Sequence, residues 1–235
     1  MDAETLQRTY LDLSTPHVAD ACMRLGIPVR CAPTQVRPLW PGTHVVGTVR
    51  PARHYGSVDV FLEAIDQAAP GDVLVVDNGG RTDEACVGDL ITLEAQRAGL
   101  AGIIIWGLHR DTLQLLTIRL PVLSLGTLPV GPQRLDARDP GALTNAACGE
   151  HTVDSTDFAL ADDDGALFIP LEKALDVATV AAGIRDTERR QAAAMLLGTS
   201  FRTQSRLPDY IAARHANPNL TFRQHLRTFG GEIEE

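Results

Sequence analysis

An α/β protein is predicted by three stretches that follow one another between Gly71 and Asp111. Val73-Leu74-Val75-Val76 is an apolar run of strand length. The segment that opens at Gly88-Asp89-Leu90-Ile91 and closes at Gly99 has helical length and spacing, and Ile103-Ile104-Ile105-Trp106 is a second apolar run. Short runs without alternation belong to strands covered on both faces, and a helix between two of them makes a β-α-β crossover. The unit breaks at Asp77-Asn78-Gly79-Gly80 and delivers Gly107, Arg110 and Asp111 past the second strand. Polar residues therefore gather at element ends, where α/β proteins place their sites.

The elements around this unit follow in order. Leu6, Tyr10, Leu11 and Leu13 predict a short first helix. Thr15-Pro16 predicts the start of a second, with Thr15 as cap and Gly26 as stop. Cys31 to Thr43, with Pro33, Pro38 and Pro41, reads as a loop, and His44 to Arg50 as a strand. Ser57 is placed to cap a helix running to Ala69, with Val60, Phe61, Ala64 and Ile65 on one face. After Asp111, Leu113, Leu115 and Leu116 predict a short helix and Val122-Leu123-Ser124 a strand. Gly126 to Gly149 reads as loops and short strands. Asp162-Asp163-Asp164-Gly165 is a turn that launches a strand over Ala166 to Ile169. A long helix is expected from Leu171 to about Leu197, and Gly198 ends it. The polar remainder holds short helices near Asp209 to Arg214 and Phe222 to Thr228 and has too few apolar residues to fold alone.

Composition narrows the function. The 235 residues, 44% hydrophobic and 22% charged, suit one large domain or a domain with an appendage. A formal net charge of −9 argues against a nucleic-acid partner, which needs a basic footprint. Cys22, Cys31, Cys86 and Cys148 are scattered without CxxC spacing, as expected of reduced thiols in a cytoplasm. No apolar run reaches the roughly 18 residues of a membrane span. The acidic start Met1-Asp2-Ala3-Glu4 lacks the regions of a signal peptide, so a cytoplasmic protein with no membrane contact is expected.

Few residues can carry chemistry. Gly88-Asp89-Leu90-Ile91 opens a helix, whose unpaired N–H groups and dipole suit a carboxylate or phosphate; acids are also common there for stability alone. Arg110 offers a planar fork for a carboxylate, and a lone Asp111 suits Mg²⁺, which keeps most of its waters. An ion pair between these neighbours, or a helix cap by Asp111, fits the same residues. The Asp162 to Gly165 run lacks the distal Glu of a calcium loop, and Gly79-Gly80 lacks a nucleotide-loop spacing. Alternation turns His109 away from Arg110, which makes it structural. His17, His44, His54, His151, His215 and His225 show no ligand spacing, and no GxSxG elbow occurs.

Asp89, the twenty residues from Leu90 to His109, and Arg110-Asp111 together resemble the signature of the RraA-like proteins. That family includes the 4-hydroxy-4-methyl-2-oxoglutarate / 4-carboxy-4-hydroxy-2-oxoadipate aldolases. TPHVADACMRLG from Thr15 to Gly26, PGDVLVVD from Pro70 to Asp77 and ADDDGALFIP from Ala161 to Pro170 extend the likeness over about residues 11 to 190. The resemblance implies a swivelling β/β/α domain, here residues 1–190; residues 191–235, too polar to fold alone, are expected as a helical tail packed on that domain or on a neighbouring subunit. It also implies a homotrimer or hexamer with sites between subunits. The implied activity is that of a class II, metal-dependent carbon–carbon lyase. It would cleave a 4-hydroxy-2-oxo-dicarboxylate to pyruvate and decarboxylate oxaloacetate on the side. By position, Asp111 would hold Mg²⁺ or Mn²⁺ and Arg110 would bind the keto and carboxylate oxygens. Gly88, Leu90 and Ile91 would seat the carboxylate on backbone N–H groups, and Asp89 would position a metal-bound water. Glu188 is a loose match to an acidic residue that some members lend to a neighbour's site. Members that regulate an RNA-degrading enzyme can lack the metal Asp, so Asp111 favours an enzyme. The tail after Gly198 departs from the aldolase ending, which leaves open a lyase for another 2-oxo or sugar acid.

Overall fold

Both apolar runs become strands covered on two faces in the computed structural model, which describes residues 3–229. The strands are β1 (Arg30–Cys31), β2 (Arg37–Pro38), β3 (Val45–Arg53), β4 (Val73–Asp77), β5 (Ala85–Val87), β6 (Gly102–Trp106), β7 (Leu108–His109), β8 (Val122–Ser124), β9 (Asn145–Cys148), β10 (His151–Asp154), β11 (Asp157–Asp162) and β12 (Gly165–Pro170). The helices are α1 (Ala3–Tyr10), α2 (Thr15–Leu25), α3 (Asp59–Asp66), α4 (Asp89–Arg97), α5 (Thr112–Ile118), α6 (Ala174–Leu196), α7 (Phe201–Gln204), α8 (Leu207–Ala216) and α9 (Phe222–Arg227).

The main sheet runs β1-β12-β11-β3-β4-β6-β8-β2. Its centre, β3, β4, β6 and β8, is parallel, and both flanks are antiparallel. Alternation along β4 and β6 divides the core. Leu74, Val76, Ile103 and Ile105 face α3, α4 and α5, whereas Val73, Val75 and Ile104 face the inside of the curled sheet. The β9-β10 hairpin fills that inside with Ala146, Cys148 and Val153. Helices α1, α2 and α6 cover the antiparallel flank through Tyr10, Val18, Val177 and Ala181. Pro51 is tolerated within β3 because only β4 flanks it there; β11 pairs with β3 no further than Thr48.

Local expectations fail where side chains compete for a cap. Ser14, not Thr15, precedes α2: its N–H donates to His17 Nδ1 at 3.1 Å, while Thr15 is drawn to Asp162 by two 2.7 Å bonds. Val58, not Ser57, stands at the cap of α3, which ends before Ala69, and the Asp59 carboxylate in its first turn accepts from Tyr55 O–H at 2.5 Å. Leu11 lies beyond α1 and is exposed. The Cys31 to Thr43 loop contains β2 and the end of β1, and β11 was not foreseen. The Asp162 to Gly165 turn is structural: Asp163 accepts from Gly42 N–H, and Arg37 donates to the carbonyls of Asp163 and Asp164.

Helix α6 passes unbroken through residue 190, so the tail continues from the body on one helix. Gly198 then turns the chain at φ 98°, and Gln204 Nε2 donates to Gln191 O at 3.1 Å, folding α7 back on α6. Tyr210, Phe222 and Phe229 surround the buried His225, whose Nε2 donates to Ser205 O at 3.1 Å. These contacts give a polar segment a small aromatic core. Among the described residues no helix is long and apolar enough to cross a membrane.

Candidate functional site

Two short parallel strands fix Arg110 and Asp111. β7 pairs with β5, and Arg110 N–H continues the pairing to Val87 O at 2.9 Å. His109 points inward, with Nδ1 2.8 Å from Ser124 Oγ and Nε2 3.2 Å from Thr112 Oγ1. Burial holds its imidazole below the ordinary histidine range. Alternation then sends Arg110 outward. Asp111 adopts φ 60° and ψ 39°, a left-handed conformation that Asp tolerates better than most residues. Its carbonyl accepts the first bond of α5, from Leu115 N–H at 3.0 Å.

The start of α4 closes on this pair. Asp111 Oδ2 accepts from Asp89 N–H at 3.3 Å and lies 3.5 Å from Arg110 Nε. Gly88 makes the approach possible: a Cβ there would sit 2.3 Å from Asp111 Oδ2 and 3.2 Å from Arg110 Nε. Gly131 does the same on the far side of Arg110, whose Nη1 would be 2.6 Å from a Cβ. Gly131 was missed in the sequence, where one glycine in a Gly- and Pro-rich loop carries no distinguishing signal.

The first-turn N–H groups are not all free. Asp89 Oδ1 accepts from Leu90 N–H at 2.8 Å, so in this state that donor is turned to its neighbour's carboxylate. Ile91 N–H precedes the first bond at the start of the helix, Thr92 N–H to Gly88 O at 3.1 Å, and among the described residues it meets no acceptor, which leaves it for a ligand. The Arg110 and Asp111 side chains are 47% and 35% exposed, enough to meet a small molecule from solvent. Beside them an open cleft of about 360 Å³ runs between α4 and α5.

Among the described residues no three His, Cys, Asp or Glu side chains group as a metal site. The donor set at this corner is one partly exposed carboxylate, Asp111, with the Asp89 carboxylate in the adjoining first turn of α4 bonded to Leu90 N–H. That fits a cation that keeps most of its waters, such as Mg²⁺ or Mn²⁺, and not a zinc ion that wants four protein ligands.

Other residues singled out in the sequence lie elsewhere. Glu188 pairs with His17 Nε2 of its own chain at 3.1 Å. Cys22, Cys86 and Cys148 are buried, and burial raises their thiols, that of Cys22 to about 11, which makes them poor nucleophiles. One polar group escaped the sequence reading: His54, Asn78, Glu84 and Arg134 form a cluster beyond β3 and β4.

A family model described as RraA-like, Aldolase/RraA, matches residues 15–168. The chain is 26% identical over 206 residues to protein DlpA of Legionella pneumophila, covering 83% of this chain and 32% of that protein. It is 40% identical over 74 residues to a Shewanella oneidensis protein provisionally named 4-hydroxy-4-methyl-2-oxoglutarate aldolase, covering 32% of this chain and 45% of that one. The matches thus span about a third and under half of these two relatives. Among solved structures, RraAS2 of Streptomyces coelicolor, described as an unusual member of the RNase ES inhibitor RraA protein family, superposes with a TM-score of 0.69. That match has 26% identity and covers 80% of this chain and 97% of that one.

Proposed function

The chain belongs to the RraA-like family, and from that premise we propose that it is a divalent-metal-dependent carbon–carbon lyase that cleaves a 4-hydroxy-2-oxo acid to pyruvate. The observation that carries the reading is the meeting of the Arg110 and Asp111 side chains with Asp89 N–H around Gly88 at a helix start. Arg110 binds the 2-oxo and carboxylate oxygens in its fork. The N-terminus of α4, through Ile91 N–H, seats the carboxylate. Breaking the C3–C4 bond builds negative charge on the C2 oxygen, and Arg110 stabilises it as it forms. Asp89 holds a water that takes the C4 hydroxyl proton and returns one to C3. A Mg²⁺ or Mn²⁺ ion held by Asp111 would add Lewis-acid polarisation of the 2-oxo group. Oxaloacetate decarboxylation generates the same enolate and is the expected side activity.

The proposal includes a catalytic domain over residues 1–190 and a tail over residues 191–235. It places the enzyme in a cytoplasm, in keeping with its free cysteines. It also includes assembly as a homotrimer or hexamer, supported by a site that is half open in one chain and needs covering to exclude water. Pyruvate release from oxaloacetate and from 4-hydroxy-4-methyl-2-oxoglutarate, with Mg²⁺ and then with EDTA, tests the activity. Metal-dependent release supports it; no release from either by folded protein with metal present counts against it. The likeness to RraAS2 favours a second reading, a non-catalytic regulator of an RNA-degrading enzyme. Partner binding that survives Asp111→Ala, without any metal-dependent reaction, would select that reading.

A further inference from the structure

We infer that the cleft between α4 and α5 receives an aliphatic group on C4 of the substrate, so that the preferred 4-hydroxy-2-oxo acid carries an alkyl chain there in place of a second carboxylate. The inference rests on the lyase reading above and narrows its substrate.

Three observations support it. The cleft adjoins the site: Asp89 and Leu90 at the start of α4 line it, as does Leu113, two residues beyond Asp111 in α5. Its walls are apolar: Leu90, Leu93, Leu113 and Ile118, with Thr117 and Gln114 as the uncharged polar members. Among the described residues its single charge is Asp89, and no cationic side chain lines it. A second carboxylate placed there would lose hydration, meet no counter-ion and face the Asp89 carboxylate. An alkyl chain would instead gain roughly fourfold in binding for each methylene removed from water. The volume of about 360 Å³ is at the lower end of small-molecule sites, and Leu90 and Leu113, each 76% exposed, are free to be covered. The reaction balances without a co-reactant. The C3–C4 bond breaks with its electron pair passing to the pyruvate enolate. The C4 hydroxyl loses its proton to become the carbonyl of an aliphatic aldehyde, and C3 takes up a proton.

The experiment compares kcat/KM for pyruvate release from 4-hydroxy-2-oxooctanoate, which carries a butyl group on C4, and from 4-hydroxy-2-oxoglutarate, which carries a carboxylate. Both are run on the full chain with Mg²⁺, and oxaloacetate decarboxylation serves as a check on the enolate chemistry itself. The octanoate is expected to be preferred by at least about tenfold. Leu113→Arg and, as a second variant, Gln114→Arg are expected to narrow or reverse that ratio. Preference for the glutarate by a chain that decarboxylates oxaloacetate would overturn the inference and leave the lyase reading standing. Failure of all three substrates would overturn both. A variant that changes the oligomeric state and leaves the ratio unaltered would assign the cleft to a second copy of the chain, and the inference would fall.

Discussion

The cluster around His54 and the corner around Asp111 are both built from polar residues just past strands of this fold, yet their side chains are committed in opposite ways. In the first, His54, Asn78 and Glu84 are buried. Arg134 Nη2 lies 3.0 Å from Glu84 and donates to Asn78 Oδ1 at 3.1 Å, and His54 Nδ1 is 2.8 Å from the same oxygen. Because Arg134 can only donate, Asn78 Oδ1 must accept, and His54 therefore carries its proton on Nδ1. In the second, Arg110 and Asp111 remain substantially exposed, and a weak 3.5 Å contact joins them. A strand end is thus not by itself a site. The charges of the first cluster are spent on one another, while those of the second are held in place by backbone and remain open to a ligand.

The sharpest way to break this comparison is to exchange the readouts. Asp111→Ala is expected to lower metal-dependent turnover by about a thousandfold, and Arg110→Ala by about a hundredfold with a raised KM. Arg110→Ala should not move the thermal midpoint by more than about 2 °C, since an exposed side chain contributes little to stability, whereas Asp111→Ala, which puts alanine at φ 60° and removes the acceptor of Asp89 N–H, should cost about 1 kcal/mol. In the buried cluster the order reverses. Glu84→Gln removes the buried one of the two carboxylates paired with Arg134, leaving Asp136, and should cost about 2 kcal/mol in urea unfolding, with the kcat of the remaining folded protein within about twofold. Loss of turnover without loss of stability in Glu84→Gln would put that cluster in the site.

Gly88→Ala sharpens the comparison inside the site. Its Cβ would displace the Asp111 carboxylate, so activity should fall by about a hundredfold while stability changes by about 1 kcal/mol. Circular dichroism and steady-state rates on one preparation would check both.

The smallest expected effect concerns pH. Burial, helped by the nearby charge of Arg134, lowers the pKa of His54 below its ordinary 6.5, against the raising effect of its bond to Asn78 and of the Glu84 and Asp136 carboxylates. The unfolded chain then binds this proton more readily than the folded one. His54 therefore favours folding above 6.5, and that contribution falls as pH drops below 6.5 towards the folded value. Urea midpoints measured at descending pH should decline in that window, and less steeply in His54→Gln.

Legibility in the sequence tracked how local each cause is. The β4-α4-β6 unit could be read because both faces of its strands are covered and their apolar runs are continuous. Arg110 and Asp111 could be placed because a buried strand and alternation leave one direction open. The caps were misread where a distant residue took the side chain, as Asp162 takes Thr15 across the fold. The Arg134 cluster was invisible because its bonds to Glu84 and Asn78 join residues 50 and 56 apart along the chain. Gly88 stood in the motif, but its role is a 2.3 Å approach to Asp111 that no one-dimensional pattern records.

The most direct test of the central claim, that Asp111 marks an open metal-holding corner, is a Mn²⁺ titration of the wild-type chain and Asp111→Asn followed by electron paramagnetic resonance. One site per chain in the wild type, lost in the variant while both unfold at the same temperature, is the predicted result. Equal Mn²⁺ binding by the two proteins would contradict it.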